Sequence, residues 1–296
     1  MISTSDFKCC RQIFSAARIS LNATARTDPM RKSCSNPVSL GAATLAPPTS
    51  DRTLSPFSRF LRARLSPEGY LGLHLTIGAS LLLIAGALFG AIADEVARAA
   101  SITQLDLEIA RWLHSRAAEP LTTIMLVLTH LHGVTAILFW SLLFGIYLAR
   151  RRAWYWVLSL TLAVGGGSLL NVAMKYVFQR ARPSFDEPLL TLVTYSFPSG
   201  HTAGSTMFYG VLVCYLFSQI RAGLARLLIV ASAIVLVLLV GLSRMYLGVH
   251  YFSDVLAAIA EGWAWLALSV TAVSTLRRRN LYRAMRSQSA LQERVP

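Results

Sequence analysis

Long apolar runs, each about the length needed to cross a bilayer, alternate with short polar connections over most of this chain. The first runs from Leu71 to Ala93 without an Asp, Glu, Lys or Arg. A second lies within Leu121–Ala149, and its early "LTHLHG" part reads as a separate short helix. The third covers about Ala153–Met174 and the fourth Thr202–Ile220. The fifth fills the 17 residues between Arg226 and Arg244; the sixth fills the 22 between Asp254 and Arg277 and contains one acid, Glu261. A hydrocarbon core of ~30 Å is crossed by about 20 helical residues. A single segment surrounded by lipid satisfies its own backbone only as a helix. The pattern therefore predicts an all-α integral membrane protein, with a six-helix bundle over residues 66–278.

Composition sharpens this picture. Only 14% of the 296 residues are charged and 54% are hydrophobic, whereas soluble domains carry about 25% charged residues. Lys and Arg outnumber Asp and Glu by 28 to 14. That excess alone would suit nucleic acid, but the recurrent apolar runs assign it to a membrane surface, and no nucleic-acid partner is expected. Residues 1–65 stand apart, with ten Lys or Arg, three Asp and no sustained apolar periodicity. They read as a disordered basic tail against anionic headgroups. Residues 279–296 read as a basic cytoplasmic C-terminal tail.

Basic clusters at Arg150–Arg152, at Arg221 with Arg226, at Arg277–Arg279 and in the N-terminal tail fall on one side when six spans alternate. That side is cytoplasmic by the excess of Lys and Arg. Both termini are then inside, and the segment "SFPSGHT" is outside. Short loops and compact size favour a bacterial inner membrane, with the site periplasmic. The four cysteines, Cys9, Cys10, Cys34 and Cys214, show neither zinc-ligand nor disulfide spacing and read as free thiols.

Alternation also gathers three polar segments at the outer ends of the third to sixth spans. "KYVFQRARP" supplies Lys175 and Arg182, "SFPSGH" ends at His201, and "SRMYLGVHYFSD" holds Ser243, Arg244, His250 and Asp254. Ionisable groups at a membrane are costly, so a converging set points to function. Arg180 alone is read as an interfacial anchor whose stem follows apolar surface to the headgroups.

Lys175, Arg182 and Arg244 offer three positive charges, two of them as planar forks suited to oxyanions. The turn at Ser199 and Gly200 opens a helix, whose first N–H groups favour an anion. His250 and Asp254, four apart, share a helix face, so the carboxylate can fix the ring tautomer and leave the other nitrogen free to attack. His201 is then the proton donor to the leaving oxygen, although on the residues alone the two histidines are interchangeable. So much positive charge around two histidines suits phosphoryl transfer. With few acids nearby, no metal or other cofactor is expected.

The ordered trio K-x6-R-P, P-S-G-H and S-R-x5-H-x3-D resembles the signature of the type 2 phosphatidic acid phosphatase superfamily, which includes the vanadium haloperoxidases. Lys175, Arg182 and Pro183 match its first element, Pro198 to His201 its second, and Ser243, Arg244, His250 and Asp254 its third. The resemblance implies a six-helix membrane core, a phosphorylated His250, His201 as acid and a lipid phosphate or diphosphate substrate. Phosphotransfer to another acceptor uses the same residues and stays open. A carrier of lipid phosphate is disfavoured because the polar set lies at the interface and not the midplane. Outside this set, Asn171 lies one turn before Lys175 and is expected to orient it. Glu261 shares the face of Asp254 and reads as lining the interior or packing against a polar partner. His130 and His132 read as interfacial or interior hydrogen-bonding groups, and Gly165–Gly167 as a close helix contact.

Overall fold

Wherever the pattern predicts an apolar span, the described residues form helix. The computed structural model describes Ser55, residues 72–190 and residues 192–292. The chain divides into two units, Met1–Ser50 and Asp51–Pro296, and the described residues belong to the second. The expected basic tail over residues 1–65 thus lies outside the described residues, Ser55 apart.

Eight helices are formed among the described residues. They are α1 (Leu73–Ala97), α2 (Ser101–His114), α3 (Leu121–Leu131), α4 (Val134–Arg150), α5 (Trp154–Phe178), α6 (Gly200–Gln219), α7 (Gly223–Tyr246) and α8 (Phe252–Gln292). The predicted second span breaks at His132–Gly133, where α3 and α4 meet at 50°. Within α5, Thr161–Gly166 forms a π-helical turn.

Four helices are long and apolar enough to cross a bilayer: α1, α5, α7 and the Phe252–Gln288 part of α8. The bent pair α3–α4 makes a fifth if it is taken as one span. Against the six expected, four or five candidate spans are thus found among the described residues, and α6 is the helix that does not match a span by apolar composition. Its 20 residues extend about 30 Å, so length is not the obstacle. Composition is, because Thr202, Ser205 and Thr206 all lie on α6, buried. Helices α4, α5, α7 and α8 all pack against it. A helix screened from lipid by four neighbours needs no apolar exterior, so it escapes a test of hydropathy.

The core follows from that central position. Ala203, Met207, Val211 and Tyr215 recur every fourth residue along α6 and are buried against Ile137 and Leu148 of α4, Leu160 and Val164 of α5, and Ala258 of α8. Gly167 permits the α5–α6 approach: a Cβ there would lie 1.9 Å from Met207 Sδ. Gly166 does the same against Trp265, at 2.9 Å, which fits the expected close helix contact. On the outside, Leu83, Ile84, Leu169 and Leu224 are each about 70% exposed. In water, apolar surface on this scale is unfavourable; in hydrocarbon it is not.

Candidate active site

Helices α5 and α7 end, and α6 and α8 begin, at the same end of the bundle. This antiparallel order gathers the three sequence segments. The Ser199 N–H donates to the Asp254 carbonyl at 3.1 Å, tying the start of α6 to that of α8. Gly248, in the left-handed region at φ 70°, turns the chain back after α7. Its N–H caps Met245 O, and a Cβ on it would meet Phe185 at 2.9 Å. The five-residue spacing from Arg244 to His250 is this turn.

His250 is 2% exposed and Asp254 fully buried. His250 Nδ1 lies 3.3 Å from Asp254 Oδ2, which also accepts the Tyr251 N–H at 2.9 Å. Arg182 Nη1 lies 3.3 Å from His250 Nε2. These contacts fit the tautomer with the proton on Nδ1 and the lone pair on Nε2. Burial holds the His250 pKa well below the ordinary imidazole range. The positive charges of Arg182, Arg244 and Lys175 add to this, and a hydrogen bond to the Ser196 backbone opposes it. The ring is therefore neutral at physiological pH. His201, in the first turn of α6, lies within electrostatic reach of Arg244, His250, Arg182 and Lys175. The expected convergence of the histidines and cations is thus present in the fold.

The cations are not equivalent, which sequence spacing did not reveal. Lys175 donates to three backbone carbonyls: Tyr195 at 2.9 Å, Ser196 at 3.4 Å and Pro198 at 2.8 Å. It clamps the turn that precedes α6. Arg182 donates to Thr194 and Tyr195 carbonyls, to Thr194 Oγ1 and to Val249 O, and so ties the connection after α5 to the His250 turn. Arg244 differs. It is 1% exposed, and only Nη1 is engaged, with Thr129 Oγ1 at 2.5 Å. Its Nε and Nη2 are buried without a partner among the described residues. Those two atoms form one edge of the guanidinium, with parallel N–H bonds suited to two oxygens of one anion. A buried donor left unsatisfied costs about 1–3 kcal/mol, more when charged.

Ser199 departs from expectation. Its N–H is taken by Asp254 and its hydroxyl lies 3.1 Å from Thr202 Oγ1, so it braces the helix starts and offers no N–H to an anion. It also makes no side-chain cap, which leaves the first-turn amides of Gly200 and His201 without an intrahelical acceptor. Asn171, expected to orient Lys175, instead donates Nδ2 to Glu261 Oε2 at 2.8 Å, giving Glu261 its polar partner. His132 is hydrogen-bonded to Leu128 O and Tyr209 OH, and His130 to Leu126 O.

Arg180 is the clearest correction. The interfacial-anchor reading fails because the guanidinium turns inward: Nη1 donates to Asp254 Oδ1 and Ser253 Oγ, and Nη2 to Asp106 Oδ2, each at 2.7 Å. Burial opposes its charge, but Asp254 and Asp106 outweigh that and raise its pKa. Asp106, for which the sequence offers no motif, is fully buried on α2. The signal was present, since Asp106 shares a helix face with the buried Ala110 and Leu113. Arg180→Ala strands two buried carboxylates and is expected to destabilise the fold by about 3–5 kcal/mol, measurable as denaturant unfolding in micelles.

Beside Arg182, a cavity of ≈ 200 Å³ is lined by Pro183, Phe185, Leu247, Gly248 and Val249. His114 of α2 stacks on Phe185 with ring centroids 4.0 Å apart. The arrangement can hold a multiply charged oxyanion against a neutral, oriented imidazole, with apolar space next to it.

Residues 154–278, which carry all three segments, match the PAP2 superfamily. Phosphatidylglycerophosphatase B of Bacillus subtilis (strain 168) is 36% identical over 113 residues, 38% of this chain and 55% of that protein. The match thus spans about half the length of that relative. The crystal structure of a transmembrane PAP2 type phosphatidylglycerolphosphate phosphatase from Bacillus subtilis superposes with a TM-score of 0.57 at 29% identity, covering 65% of this chain and 93% of that one. That of Aquifex aeolicus LpxE gives 0.47 at 28% identity, over 56% and 94%.

Proposed function

Since this chain belongs to the PAP2 superfamily, we propose that it is a metal-independent membrane phosphatase acting on a lipid phosphate or diphosphate through a phosphohistidine. The observation that carries this reading is the buried edge of Arg244, two charged donors without a partner among the described residues, in electrostatic reach of both histidines. Arg244 and the first-turn amides of α6 hold the phosphate oxygens, and the charges of Arg182 and Lys175 lower the cost of gathering them. His250 Nε2 attacks phosphorus, and the phosphate takes over the Arg182 donor that faces this nitrogen. The bond from phosphorus to the leaving oxygen breaks as His201 gives that oxygen its proton. Bound phosphate supplies the negative charge that a protonated His201 requires among three cations. Water then attacks the phosphohistidine, His201 takes the water's proton, and inorganic phosphate leaves.

The resemblance to phosphatidylglycerophosphatase B makes phosphatidylglycerol phosphate the first substrate to assay. Phosphatidic acid, polyprenyl diphosphate and lipid A phosphates follow. In this reading α6 also crosses the bilayer, giving six spans over residues 66–278. Both termini, including the basic stretch 279–296, lie in the cytoplasm of a bacterial cell, and the site opens at the periplasmic face. Purified protein in micelles is expected to release phosphate from at least one of these lipids, undiminished by a chelator. Loss of all activity on chelation, with recovery on adding a divalent metal, overturns the metal-free reading.

A further inference from the structure

Four side chains link the surface helix α2 to the His250 ring. Asp106 of α2 accepts the Ser253 N–H at 2.8 Å on Oδ1, and the Ser253 hydroxyl and Arg180 Nη2 on Oδ2. Arg180 spans the gap to Asp254 Oδ1, and Asp254 Oδ2 faces His250 Nδ1. Tyr251 covers the guanidinium, with Arg180 Cζ 4.3 Å from its ring centre. Asp106, Ser253 and Asp254 are fully buried, and Arg180 is 13% exposed. A structural ion pair needs only one acid and one base. Here a guanidinium is held from both sides, so that its position, and through it that of one Asp254 oxygen, is fixed.

We propose that Asp106 and Arg180 are positioning residues for the phosphoryl-transfer step: Asp106 sets Arg180, and Arg180 holds Asp254 where it orients His250. This inference rests on the assignment of His250 as nucleophile. Asp254 lies in the first turn of α8, where the Ser199 N–H already holds its carbonyl. The Tyr251 N–H holds Oδ2 beside the His250 ring. Arg180 holds the other oxygen, Oδ1, so the plane of the carboxylate is fixed from both sides. Helix α2 presents Leu105, Leu107 and Trp112 outward while it carries Asp106 inward.

The test is single-turnover kinetics in micelles for Asp106→Asn, Arg180→Lys, Asp254→Asn and the double variant Asp106→Asn with Asp254→Asn, beside His250→Ala. Asp106→Asn is expected to lower the rate of enzyme phosphorylation roughly 10- to 100-fold, the scale on which outer hydrogen-bonding partners of a histidine act, with KM changed less than threefold. Arg180→Lys keeps the charge but cannot bridge Asp106 and Asp254, and is expected to fall as far. In the Asp254→Asn background the Asp106 effect should vanish, because its route to His250 is gone. If Asp106→Asn does not yield folded protein, Arg180→Lys with and without Asp254→Asn carries the same comparison. A folded Asp106→Asn or Arg180→Lys with phosphorylation within twofold of the parent overturns the proposal. So does a loss that multiplies fully with that of Asp254→Asn, which is what a separate structural lesion gives. An active His250→Ala overturns instead the nucleophile assignment on which the proposal stands.

Discussion

His250→Ala is expected to leave no turnover above background and no trapped phosphoenzyme, a loss of roughly 10⁴-fold or more. The geometry makes it the larger of two expected effects. The ring is buried, its Nδ1 faces Asp254, and Nε2 faces the cations where the phosphate would sit. Neutrality matters as much as position. Burial, with Arg182, Arg244 and Lys175 around it, disfavours the protonated ring, so the lone pair is available at neutral pH. His201 cannot replace it from the first turn of α6, since no carboxylate is found hydrogen-bonded to that ring among the described residues. The check is quenching in alkaline detergent with lipid labelled on the phosphate, followed by counting label on the protein. Parent enzyme should carry acid-labile, base-stable label and the variant none.

Arg244→Lys is expected to lower kcat/KM by roughly 10² to 10³, about 3–4 kcal/mol, the scale of losing one preorganised donor to a transition-state oxyanion. Charge is retained in this substitution, so a purely electrostatic role predicts a small effect. The structure argues for more. Thr129 takes Nη1 and thereby aims the Nε–Nη2 edge, whose parallel donors a lysine cannot reproduce. Steady-state kinetics on whichever lipid phosphate the panel identifies provides the measurement. A loss below tenfold removes the bidentate role.

The same contrast shows what the sequence could disclose. The three motif segments were legible because their chemistry is local: His250 and Asp254 sit one turn apart, and Gly200 opens a helix. Helical spans were legible because lipid demands an apolar exterior, and α6 is the helix that lacks such an exterior. Its partners are other helices, so it is free to carry threonines and serines on its inward faces. The functions of Lys175 and Arg180 were not legible. A cation at a helix end is equally suited to lipid headgroups, a phosphate or a nearby carbonyl, and only the path of residues 179–199 decides among them. That path brings the Tyr195, Ser196 and Pro198 carbonyls to Lys175 and both carboxylates to Arg180. Asp106 lies 74 positions from Arg180, beyond any periodicity argument, although an acid on the apolar face of α2 was a signal that a buried partner existed.

In the proposed mechanism the Arg244 edge and His250 Nε2 form a single oxyanion site. A structure of the parent protein with orthovanadate, which takes up the five-coordinate geometry of phosphoryl transfer, tests it most directly. Vanadium is expected within bonding distance of His250 Nε2, with equatorial oxygens on Arg244 Nε and Nη2 and the His201 ring next to the apical oxygen opposite. Vanadate bound through His201, or held elsewhere with Arg244 uninvolved, contradicts it.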